Sequence, residues 1–356
     1  MSETIDRRRF LSQSSAMVAG AVSAGRVGNT TAFADDKSTR AAALHSDSLV
    51  FIIHDHNPVL ADVDRMRAGG VTAKGFQILV DVVPGREFQK SAAVFDGWTQ
   101  MALDSIHTVR KEIASAPDKL LLALNADDIL RAKREGKIAI LLGVEGAKLL
   151  EGRIENLKMF YDLGLRELQL RWAVPNQVVM QNDLTAFGVE VVRECQKLGI
   201  IVDVTHIPER AFDQTMELME SPPIVSHGSA ARVRTDLSDH RIKAIAARKG
   251  VIGIHFYSSY LGPNPTVERV IDNIDAMVQV GGIETVGLGV DYFPTDGAWK
   301  EFQAAQGSTG LTWAVEHIGK MGQVTDALVK RNYSDDEIRK ILGGNYLRVC
   351  REVFQG

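Results

Sequence analysis

Short runs of β-branched and aliphatic residues recur along this chain, each separated from the next by a stretch with helical periodicity. The runs fall at 48–53, 72–83, 136–146, 165–170, 199–206, 221–229, 251–256 and 285–290. The helical stretches fall at 60–67, 92–115, 126–135, 154–163, 186–198, 208–219, 238–248, 267–280, 323–330, 334–342 and 345–353. Strands joined through a crossover helix lie parallel. Eight such strands predict a parallel eight-stranded β/α barrel of TIM type, in the α/β class. An open doubly wound sheet is the alternative, but no phosphate-binding glycine fingerprint opens a helix here. Ser238 and Ser334 are expected helix N-caps, Ser334 in a capping box with Glu337, and Asn345 is expected to cap the last helix.

In such a barrel the carboxyl ends of the strands carry the chemistry. The polar residues that end these strands are His54 and His56, Glu145, His206, His227 and Asp291. His54 and His56 are two apart in extended chain, so their side chains point the same way. All six offer nitrogen or oxygen donors of the kind Zn²⁺ accepts. Hydrolysis with a pair of metals needs a carboxylate able to bridge them, for which Glu145 is the candidate, and Asp291 suits a proton shuttle. Helix capping by Glu145 and a turn role for Asp291 are the competing readings. His255 reads as a packed core histidine, and His45, His107, His240 and His317 as exposed ones.

Composition narrows the function. Hydrophobic content of 45% supports a large core, and a net charge of −4 with no basic stripe argues against nucleic-acid partners. Cys195 and Cys350 make neither a disulfide framework nor a thiolate metal site. The stretch Asp6-Arg7-Arg8-Arg9-Phe10-Leu11 is a twin-arginine pattern, followed by a weakly apolar run and a small-x-small site at Ala32-Phe33-Ala34. The expected organisation is an export signal over 1–34, a short linker over 35–47 and a hydrolase barrel over 48–356. The precursor's partner would be the twin-arginine export machinery, and the location periplasmic or secreted. A disordered basic tail is the alternative. No run is long enough for a stable membrane anchor. A homodimer is one assembly the sequence leaves open.

On these residues the sequence resembles the renal (membrane) dipeptidase family of zinc peptidases, over roughly 48–353. The motifs that carry the resemblance are Leu142-Gly143-Val144-Glu145-Gly146, the run from Gly199 to His206, Ile224-Val225-Ser226-His227-Gly228-Ser229, Gly287-Leu288-Gly289-Val290-Asp291 and Ile341-Leu342-Gly343-Gly344-Asn345. The resemblance implies a binuclear zinc site that hydrolyses dipeptides. Glu145 would bridge the metals, His206 and His227 would hold one of them, and Asp291 would be the acid/base. The family ends its first strand with Asp-Gly-His-x-Asp, whose histidine and final aspartate bind the other zinc. Here His54-Asp55-His56-Asn57-Pro58 stands in that place, so Pro58 replaces a ligand and His54 is expected to substitute for it. A pair of Zn²⁺ ions per chain is expected, a single one if that substitution fails. Trp172 stands where the family has a substrate-contacting histidine, and Arg234 or Arg232 is expected to take the substrate carboxylate through a two-pronged contact. The substrate is expected to be a dipeptide or similar small amide. Another amide, an ester or a lactone is the alternative, as is a binding protein without catalysis.

Overall fold

Eight parallel strands close on themselves at the positions of the apolar runs. In the computed structural model, which describes residues 29–81, 97–172, 174–233, 236–305 and 310–354, they are β1 (Phe51–Asp55), β2 (Ala73–Leu79), β3 (Ile138–Glu145), β4 (Leu165–Gln169), β5 (Ile201–Asp203), β6 (Ile224–Gly228), β7 (Val251–Ile254) and β8 (Val286–Leu288). Each pairs in parallel with the next, and β8 returns to β1 through Ile52 and Leu288. The longest pairing, β2 with β3, runs from Ala73 opposite Ala139 to Leu79 opposite Glu145. Two features lie outside the expected alternation. A short strand, Leu120–Leu122, pairs beside the start of β3, and an antiparallel hairpin joins Val179–Met180 to Asp183–Leu184.

Period-two alternation sorts the strand residues into two cores. Phe51, Ile53, Ala73, Ala139, Leu141, Ile201, Ile224 and Val251 pack together with Tyr346, Val349, Cys350 and Val353 of the last helix, Asn345–Val353. That helix therefore plugs one end of the barrel. The intervening Ile52, Ile140, Leu142, Leu168, Val202, Val225 and Ile252 pack outward under the surrounding helices. Gly253 and Gly289 let β6, β7 and β8 close up, since a Cβ at either would stand 2.1 Å from the Ser226 carbonyl oxygen.

Two register shifts break the alternation where the site begins. In β1, Ile52 lies opposite Lys74 but Asp55 opposite Phe76; between β6 and β7, Ile252 lies opposite Val225 but Ile254 opposite Gly228. An extra residue in β1 and in β6 re-aims the side chains beyond it. This brings His54 inward after Ile53, and His227 inward after Ser226.

The expected caps hold at Ser238, which accepts from the Arg241 amide, and at Ser334 and Glu337, which form the capping box. Asn345 does not cap. It is buried, and its side-chain amide donates to the carbonyls of Ile283 and Val286, tying the plug to the start of β8. Cys195 and Cys350 are free and buried. The residues from Lys37 to Gly356 form one compact unit. Where a linker is expected, a helix runs over Asn29–Asp47, and its Ala41 and Leu44 are buried in the outer core. His45 on that helix is half-buried rather than exposed, its ring bonded to the Thr325 hydroxyl and the Gly69 carbonyl. No described helix is long and apolar enough to cross a membrane.

Candidate metal centre

Glu145, the last residue of β3, stands between two pairs of histidines. Its Oε2 lies 3.1 Å from Nε2 of His56 and 3.9 Å from Nε2 of His54. Its Oε1 lies 3.4 Å from Nε2 of His206 and 3.7 Å from Nε2 of His227. Within each pair the Nε2 atoms are close: 3.1 Å for His54 and His56, 2.8 Å for His206 and His227. Asp291 Oδ1 closes the first pair, 3.6 Å from His54 and 3.7 Å from His56. Two nitrogen donors bound tetrahedrally at about 2.0 Å to one Zn²⁺ stand about 3.3 Å apart. The spacings and the donor types therefore fit two adjacent cations that share one carboxylate.

The backbone around this cluster is specialised. His206 and Asp291 both adopt left-handed conformations, with φ of 63° and 55°. Such strain persists only where the surroundings impose it, and it gathers at functional sites. His56 donates from Nδ1 to the Gln77 carbonyl, 2.8 Å away, which fixes the ring with its Nε2 facing Glu145. Asp55, between the two histidines, points outward and pairs with buried Lys74 at 2.6 Å. Pro58 turns away from the cluster. It opens the helix Val59–Ala68 and lines an outer cleft with Phe76 and Glu112.

Burial sets the charges. It pushes His54 and His227 well below the ordinary imidazole range. Burial opposes charge on His56 and His206 as well, but contact with the Glu145 carboxylate outweighs it and raises both. Burial alone would raise Glu145; hydrogen bonds from His206 and His56 prevail and hold it below the usual carboxylate range. Asp291 is pushed up to about 7, by burial first and by the Glu145 charge, against the pull of His56 and His206. The result is one ionised carboxylate, Glu145, beside another, Asp291, whose charge burial opposes.

A cavity of about 260 Å³ opens onto His56, Glu145, His206 and Asp291, with Trp172, Tyr257, Tyr260, Phe293 and Trp299 on its walls. Trp172 is thus at the site, on the loop after β4. Its backbone amide is held at 2.9 Å by Asp81. Arg232 is not at the cavity: its guanidinium bonds Asp239 and Gln279 on the exposed surface, where those oxygens satisfy it. Arg234 lies outside the described residues. His255, read as a packed core histidine, is buried at the site instead. Its Nδ1 is 3.9 Å from Asp291 Oδ2, its ring stacks on Tyr260 with centroids 3.8 Å apart, and neither ring nitrogen has a hydrogen-bond partner. Asp203 and Ser226 carry no signal in the sequence pattern, although each precedes a ligand-type histidine: Asp203 closes β5 shortly before His206, and Ser226 stands directly before His227 in β6.

Comparison with known proteins gives the family and the fold. The family model for membrane dipeptidase (peptidase family M19) matches residues 24–355. Dipeptidase tcpJ of Claviceps purpurea is 29% identical over 307 residues, covering 82% of this chain and 69% of its own. Among solved structures, an amidohydrolase from Pseudomonas aeruginosa superposes with a TM-score of 0.78 at 24% identity, over 88% of this chain and 99% of its own. A metallo peptidase from Rhodobacter sphaeroides, liganded with a phosphinate mimic of the dipeptide L-Ala-D-Ala, superposes with a TM-score of 0.72 at 19% identity, over 86% of this chain and all (100%) of its own. With a match that spans the barrel and a donor cluster at its carboxyl rim, the chain belongs to the membrane dipeptidase family, peptidase family M19.

Proposed function

We propose that this protein is an exported zinc-dependent hydrolase that cleaves dipeptides or similar small amides. The observation that carries the reading is the division of Glu145, one oxygen toward His54 and His56, the other toward His206 and His227. These five residues would hold a pair of Zn²⁺ ions. When bound, such ions acidify water to the point of nucleophilic attack and polarise the scissile carbonyl. Asp291 is the proton carrier: it is buried beside the first histidine pair, where it can take a proton from the attacking water and give it to the leaving amine. Glu145 stays ionised throughout and fixes the histidines. The aromatic walls exclude water and orient the substrate, with Trp172 on one side.

The test is turnover of a dipeptide panel by zinc-loaded protein, followed as release of free amino acid. Cleavage of at least one dipeptide, abolished by chelator and restored by zinc, is the expected result. A second reading has an observation of its own. Among the described residues, no lysine or arginine lines the cavity, and Arg232 is engaged elsewhere. A substrate without a free carboxylate, such as another small amide, an ester or a lactone, would suit that lining. Turnover of a lactone with no dipeptide cleaved would decide for it.

Export rests on the twin-arginine pattern at Arg7 and Arg8 and the small-residue site ending at Ala34. Cleavage there would keep the buried Ala41 and Leu44 in the mature chain. N-terminal sequencing of protein recovered from the periplasm should begin at Asp35; a mature chain beginning at Met1 contradicts export by this route.

A further inference from the structure

Ser226 touches a ligand-type residue of each histidine pair. Its Oγ lies 3.0 Å from Nδ1 of His54 and 3.0 Å from Nδ1 of His227. These are the ring atoms opposite the Nε2 atoms that face Glu145. The serine is fully buried, as are both rings.

The surrounding hydrogen bonds decide which way the hydroxyl points. Thr205 donates from Oγ1 to Asp203 Oδ1 at 2.5 Å, which leaves the Thr205 oxygen as an acceptor. Ser226 Oγ is 3.3 Å from that oxygen, and the Ser226 amide donates to it at 2.9 Å. The same amide also reaches Asp203 Oδ1 at 3.1 Å, so the carboxylate anchors the backbone and the chain of hydroxyls together. The Thr205 proton is thus committed to Asp203, and the Thr205 oxygen stands open to the Ser226 proton. A hydroxyl has one donor and two lone pairs. With its proton turned to Thr205, Ser226 has two lone pairs left, one for each Nδ1–H.

We infer that Ser226 is a positioning residue shared by both metal sites, holding His54 and His227 with the proton on Nδ1 and the lone pair of Nε2 turned to the cations. The inference rests on the proposal that this cluster binds metal. One hydroxyl thereby sets ring orientation and tautomer on both sides of the bridging carboxylate. Outer partners of metal-binding histidines are usually separate groups, one to a ring, such as the Gln77 carbonyl behind His56. Here the β6 register shift makes sharing feasible, because Ser226 and His227 are consecutive yet both lie inside the barrel.

Chelator-competition titration of zinc into the full chain tests this. In Ser226→Ala both binding steps should weaken, each by about 10- to 100-fold, the range for losing an outer partner. The melting temperature of the metal-free variant should stay close to wild type. Proton-detected nitrogen NMR on zinc-loaded wild-type protein adds a readout that needs no variant: Nδ1–H signals for both His54 and His227. Unchanged affinity at either step in a folded variant, or an Nε2–H tautomer at either ring in the loaded protein, overturns the shared role while leaving the metal reading intact. A wild-type chain that binds no zinc overturns both.

Discussion

His54 shows how one position can decide a site. The family pattern has an aspartate four residues later, where this chain has Pro58, and the proline lines an outer cleft. His54 instead reaches the cluster from within β1, with Nε2 3.1 Å from that of His56. His54→Ala should lower bound zinc from about two ions per chain to about one, read by metal analysis of purified protein. An unchanged stoichiometry would mean that His54 holds no metal. Asp291 separates chemistry from binding. Asp291→Asn keeps the shape and the left-handed turn, which asparagine tolerates, but cannot carry a proton. Activity should fall by about 10²- to 10⁴-fold while the melting temperature stays within a few degrees of wild type. Persistence of activity would reject its role as acid and base. Five of the donors are legible in the sequence as strand-end histidines and a glutamate, because a polar residue closing an apolar run has few structural uses. His255 and Ser226 are not, because what distinguishes them is an unpaired ring and a doubly shared oxygen, and both are visible only when neighbouring strands are in place.

At the scale of elements, the loops after β2, β3 and β4 form one mesh around Asp81. Its carboxylate accepts from the Lys148 amide at 3.1 Å, from the Trp172 amide at 2.9 Å and from the Asn176 side chain at 3.1 Å. Burial pushes Asp81 up to about 6, and these hydrogen bonds hold it from rising further. Gly146 is what lets the mesh close. It follows Glu145 directly at φ of 99°, and a Cβ there would lie 2.2 Å from Asp81 Cγ. Gly146→Ala is therefore both strained and obstructed. It should cost at least about 2 kcal/mol, measured as a lower urea midpoint. Zinc affinity should also fall, because Glu145, the proposed bridging carboxylate, is the preceding residue. Equal stability would show that the Asp81 mesh is soft enough to move aside. The alternation of strands and helices predicts the barrel because period-two and period-3.6 patterns alternate cleanly along the chain. Bulges leave no such trace: the register shifts that turn His54 and His227 inward come from pairing between strands, which no single run of residues encodes.

Across the whole molecule the barrel interior is layered, with an apolar plug around Tyr346, the metal-type cluster at the opposite rim, and a polar layer between. Glu167 is the centre of that middle layer. It accepts from Gln77 at 2.6 Å and from the Tyr346 hydroxyl, so it joins the last helix to the floor of the site. Burial first, and the nearby Asp203 second, push its carboxyl up to about 8. The folded chain therefore keeps this proton at pH values where the unfolded chain, with an ordinary carboxyl, has released it. When the unfolded state binds fewer protons, stability falls as pH rises. For this group the fall spans the window from the ordinary carboxyl range to about 8, at up to about 1.4 kcal/mol per pH unit. Glu167→Gln stays uncharged at every pH and should remove that share of the slope. Urea unfolding of chelator-treated protein at pH 5, 6, 7 and 8 measures it: the wild-type line should descend more steeply than the variant's, with the two closest in stability at the acid end. Parallel lines would mean that the carboxyl at 167 is ionised in the folded barrel, and that its contacts to Gln77 and Tyr346 hold a charge rather than a proton.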